Sequence, residues 1–151
     1  IKDEIMRYYV CLVLTTWITN KYMATKERNE RFVTVDEAWN IFKNKVTSDF
    51  LEDLARRARK KKVSLILATQ NLAEMKQSRQ AEAIVNCCDT ILLFKQPLGS
   101  IDEIMTFFKL PSGTRNILLN AKPGECILIR ANTVRAVKVE MTDFESEFVT
   151  T

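Results

Sequence analysis

Three short apolar runs punctuate the chain: Arg31 to Val35, Val63 to Thr69 and Thr90 to Phe94. Between them, apolar residues recur at steps of three and four. Unbroken apolar runs of this length read as buried parallel strands, and the periodic stretches between them as helices. The order strand, helix, strand, helix, strand is a βαβαβ unit, whose right-handed crossovers imply a mostly parallel central sheet flanked by helices. The fold class is therefore α/β. Ligands of open α/β sheets bind along the carboxyl edge of the strands, so the residues that end each run carry the functional question.

The first run ends in the adjacent carboxylates Asp36 and Glu37, and a helical pattern begins at Ala38. Acids in a first helical turn suit the helix dipole, which is one reading. The other is chemical. In nucleoside triphosphatases an Asp at the end of such a strand holds Mg²⁺, usually through water, and a Glu directly after it polarises the water that attacks the γ-phosphate. The pair alone does not separate these readings.

Beyond the acids, Ala38, Phe42, Val46, Phe50, Leu54 and Ala58 step by four along one helical face. A break is expected near Lys45 to Ser48, with Thr47 or Ser48 capping a second helix. That helix ends in Ala55-Arg56-Arg57-Ala58-Arg59-Lys60-Lys61-Lys62, six basic residues in eight. Cations at a helix C-terminus match its dipole, and Arg56, Arg59 and Lys60 would share one face. The second run ends in Thr69-Gln70-Asn71, after which residues 72 to 88 read as a helix presenting Ala81, Ile84, Val85 and Cys88.

At the start, Ile5, Tyr9, Leu12, Val13 and Trp17, with Val10, Cys11 and Leu14, predict a helix over about residues 3 to 24, buried on most faces. Lys26 to Glu30 reads as a charged surface loop. After the third strand, Ile101 to Phe108 is a short helix stopped by Pro111, Ser112 and Gly113. Pro123-Gly124 and then Ala131 to Thr133 turn the chain into a hairpin near 126–139, whose second strand alternates apolar and basic residues, predicting one wet face. Thr142 and Glu145 have the spacing of a capping box.

Composition removes several chemistries. With no histidine, Ser-His-Asp and Cys-His catalysis and histidine metal sites are all excluded. The four cysteines form no CxxC pair, so reduced, mostly buried thiols in a cytoplasmic protein are expected. A net charge of +4 permits an acidic partner without requiring one. The length suits a single domain, 1–151, and Tyr8 to Ile18 is only about half of a membrane span. The chain opens at Ile1 inside an amphipathic pattern, and is expected to be an excised piece of something longer.

Taken together, Asp36-Glu37-Ala38-Trp39, the sequence ARRARKKKVSLILATQ from Ala55 to Gln70, and Asn86 to Phe94 resemble one family. It is the large cytoplasmic ATPase of type IV secretion and conjugation systems (VirB-type), in the FtsK/HerA-like branch of RecA-type P-loop motors. The resemblance runs from about residue 5 to 149. It implies the downstream part of a RecA-like domain, with Asp36 as the Walker B aspartate on Mg²⁺ and Glu37 as the base orienting water. It implies Gln70 as γ-phosphate sensor, Arg56 and Arg59 as charge on a phosphate, across a subunit interface, and Lys60 and Thr69 as nucleotide-binding residues. Arg57 is equally available by sequence for the arginine role.

The implied cofactors are ATP and Mg²⁺. A P-loop, GxxxxGK[ST], is not among these residues, so the phosphate cradle is expected upstream and tight nucleotide binding by this stretch alone is not expected. The implied function is powering pilus biogenesis and the translocation of substrate or DNA. The implied partners are other secretion components and further copies, in a hexamer by analogy. The implied place is the inner face of the bacterial cell membrane, reached through partners. A conjugative coupling protein or related DNA translocase shares the nucleotide core and is the first alternative. A non-catalytic RecA-like module binding nucleic acid through Arg56 to Lys62 is the second, although that cluster has no interleaved aromatics for stacking.

Overall fold

The computed structural model describes residues 4–23, 31–70, 72, 79–131 and 133–148. The expected charged loop at Lys26 to Glu30, and the first part of the helix expected over 72–88, lie outside them. The chain forms two compact units, Ile1–Cys87 and Cys88–Thr151.

In the first unit, α1 (Glu4–Met23) precedes β1 (Arg31–Val35), α2 (Trp39–Phe42), α3 (Lys45–Ala58), β2 (Val63–Leu67) and α4 (Arg79–Cys87). β1 and β2 pair in parallel, with Arg31 opposite Val63 and Val35 opposite Leu67. Val33, Val35, Leu65 and Leu67 pack on a core of Ala38, Phe42, Leu51, Leu54, Ala58, Ala81 and Ile84, contributed by the helices. The other face of the sheet is open. Phe32 is 70% exposed and Ile66 47%. Strands expected to be buried on both sides are thus half-buried among the described residues, because their alternate side chains point away from α3 and α4. The same correction applies to α1, where Tyr9, Val13, Leu14 and Trp17 are exposed rather than buried.

The helical break falls at Lys43 and Asn44, just before the expected Lys45 to Ser48. Asn44, in extended conformation, caps α3 by accepting from the Val46 N–H at 2.9 Å. Thr47 and Ser48 do not cap. Their buried hydroxyls donate instead to the carbonyls of Ile41 and Asn44, which closes the end of α2 against the start of α3. The basic run also departs from one helical face, since α3 ends at Ala58 and Arg59–Lys61 tighten into a 3₁₀ turn. Lys62 then takes a left-handed conformation, φ 56°, to enter β2.

The second unit contains β3 (Thr90–Leu93), α5 (Ile101–Phe107), α6 (Thr114–Asn120), β4 (Glu125–Arg130), β5 (Thr133–Lys138) and α7 (Asp143–Ser146). β3 pairs antiparallel with β4, and β4 antiparallel with β5. The hairpin is as its alternation implies, but the third strand's hydrogen-bonded partner is β4, not a parallel neighbour. Leu93, Ile101, Ile104, Leu118, Cys126 and Ile127 are buried, together with Leu110, Thr114 and Ala121. Burial pushes the Cys126 thiol up from its ordinary pKa. Cys87 and Cys88 are exposed, against the expectation of mostly buried thiols.

Gly124 leads the hairpin with φ +84°, and a Cβ there would lie 2.5 Å from the Val139 carbonyl oxygen. The backbone uses that proximity, for the Val139 N–H donates to the Gly124 carbonyl at 2.8 Å. Thr142 and Glu145 form the expected capping box.

Candidate functional site

Parallel pairing brings the ends of β1 and β2 to one edge of the sheet. The Ala68 N–H donates to the Val35 carbonyl and the Ala38 N–H to the Ala68 carbonyl, both at 2.9 Å. These bonds carry the register past the strands and fix the two loops side by side. Ala38 is fully buried and anchors the turn between β1 and α2.

Within that turn Glu37 has φ +50°, a left-handed backbone in a residue that is not glycine. Such a conformation persists only where its surroundings determine it. Here the Glu37 N–H is satisfied by Asp36 Oδ1 at 2.8 Å. The Glu37 carboxylate is held at both oxygens. Trp39 Nε1 donates to Oε2 at 2.6 Å, and the Gln70 side-chain amide donates to Oε1. Both donors hold a group that accepts through either oxygen, and each oxygen keeps a further lone pair for a solvent proton. Asp36 is exposed at the same edge, and Thr69 precedes Gln70 on the adjoining loop.

Asp36, Glu37, Thr69 and Gln70 are therefore brought to one edge. The basic residues are not. Arg56, Arg59 and Lys60 precede β2 while the acids follow β1, so the length of a five-residue strand, about 16 Å, separates the end of the sheet that the cluster leads into from the edge that holds the acids. Arg56 bonds Glu52 at 2.7 Å and Arg57 pairs with Asp53, each one helical turn back. Hydrogen bonding to Glu52, with its charge, raises the Arg56 pKa further. No ion pair engages Arg59 or Lys60 among the described residues.

Trp39 is the participant whose contact the sequence reading left out. The signal was present: an indole N–H, donor only, two residues after an acid that needs orienting. Among the described residues, no group of three or more Cys, Asp or Glu side chains could hold a metal by itself. A hard cation that keeps most of its waters and binds phosphate oxygens fits a single exposed carboxylate such as Asp36. Also among the described residues, no helix is long and apolar enough to cross a membrane.

The family model described as "AAA-like domain" matches residues 3–149. The structure is similar to that of VirB4 of Thermoanaerobacter pseudethanolicus, with a TM-score of 0.80 and 27% sequence identity over 96% of this chain. The chain spans 40% of the length of that protein. No curated protein matches. The chain belongs to the AAA-like domain family, and its fold is that of a VirB4-type ATPase region.

Proposed function

We propose that this chain supplies the hydrolytic part of an ATP-driven motor in a type IV secretion or conjugation system. The observation that carries the reading is the Glu37 carboxylate at the carboxyl edge of two parallel strands, with Gln70 of the neighbouring loop donating to it. A carboxylate so held is placed to accept a proton from water. An amide on the adjoining strand can exchange that bond for a phosphate oxygen, which would couple nucleotide state to the loop.

Asp36 would hold Mg²⁺ through its waters. When bound, the ion neutralises charge on the phosphates and fixes their orientation. Thr69 lies where it could meet the nucleotide. Arg59, with Arg56 and Lys60, would direct charge to a phosphate bound by another copy, since these residues precede β2 while their own chain's acids follow β1 at the other end of the pair. An arginine fits because its planar fork pairs bidentately with phosphate. Arg59 has no carboxylate to release first among the described residues, unlike Arg56 and Arg57. The proposed setting is the inner face of the bacterial membrane, with attachment through other secretion components.

The test is Glu37→Gln in the full-length protein. ATP affinity should be kept while turnover drops by about 10²- to 10⁴-fold, the usual contribution of a positioned base. Hydrolysis at the wild-type rate would remove Glu37 from this role.

A further inference from the structure

We propose that Trp39 is a positioning residue that braces the Glu37 carboxylate. The proposal rests on the reading of Glu37 as the residue that orients the attacking water.

Three observations converge on it. The Trp39 Nε1–H donates to Glu37 Oε2 at 2.6 Å, a short bond to a charged acceptor. The indole itself is held, because it is half-buried, packs against the core of the first unit, and carries Lys43 Nζ 4.0 Å from its ring centroid. The other carboxylate oxygen belongs to Gln70, which is exposed.

The two donors differ in what else they can do. The Gln70 amide has a second N–H and a carbonyl, and sits at the end of a strand, so it can exchange partners. The indole has one N–H and a ring fixed at the start of α2. Trp39 therefore keeps Oε2 in place while Gln70 comes and goes, and the carboxylate stays aimed through the cycle. A Trp N–H in a partly buried setting also needs some acceptor for its own sake, and that purely structural role is the alternative to be separated.

Replacing Trp39 in the full-length protein by 3-benzothienylalanine puts sulfur where the N–H was and keeps nearly the same ring shape. The expected result is a fall in kcat of about tenfold to a hundredfold, the scale of a lost hydrogen bond to a charged group, with KM for ATP unchanged and only a small drop in melting temperature. Trp39→Phe should show the same split between kcat and KM, and serves if the isostere folds poorly. With Glu37→Gln inactive, an unchanged kcat in both Trp39 variants overturns the brace alone. Parallel losses of kcat, ATP affinity and melting temperature also overturn it, because packing would then be the role. A Glu37→Gln protein that hydrolyses normally overturns the underlying reading instead.

Discussion

A left-handed backbone costs a residue with a Cβ about 1–2 kcal/mol, and Glu37 adopts it at the centre of the candidate site. Gly124 adopts it too, with a neighbour so close that no side chain fits. Gly124→Ala should therefore destabilise the protein by about 1–3 kcal/mol in urea denaturation, through strain and displacement of the Val139 strand end. Gly99→Ala is the control: a Cβ there meets no described atom within 4 Å, so its effect should be small. At this scale the sequence was partly readable. Adjacent acids after an apolar run mark a strand end, and Pro123-Gly124 marks a turn, because the residue types themselves constrain the backbone. The donor at Trp39 was visible, but that its bond goes to Glu37 depends on a backbone angle at Glu37 that no residue type announces.

Elements were legible where a single face decides them and less so where tertiary bonds compete. Steps of four from Ala38 to Ala58 locate the α2–α3 stretch, yet Asn44 caps α3 because Thr47 and Ser48 are drawn to the end of α2. Helix α6 went unread, since Pro111-Ser112-Gly113 looks like a stop and the seven residues of Thr114–Asn120 are too few to show a period. The apolar run of β3 states that it is a strand but not which way its partner runs. At the other extreme, the capping box of α7 is wholly local and was fully readable.

That box also titrates. The Glu145 carboxylate accepts from the Thr142 N–H at 2.9 Å and from its hydroxyl, which hold its pKa below the ordinary value. A depressed folded pKa means that the stabilisation is present above the unfolded Glu value of about 4.3 and fades as pH falls through the folded one. The Thr142 amide proton, followed by NMR on acidification, should move as α7 frays. In Glu145→Gln that titration should disappear.

For the whole molecule, the α/β class, the parallel pairing of β1 with β2 and the family were available from the order of runs and their terminal residues. The separation of the basic cluster from the acids was implicit in that pairing, because residues that precede β2 and residues that follow β1 fall at opposite ends of a parallel sheet. It leads to a mixing experiment. Full-length Glu37→Gln and Arg59→Ala should each lose turnover, and an equal mixture should regain part of it in an ATPase assay. A mixture as inactive as its components would confine both residues to one chain. Finally, acids at one end of the β1–β2 pair and cations at the other give each copy a polarity. Two copies meeting at these edges would bring unlike charges together only head to tail, and that is the pairing which the mixture of variants tests.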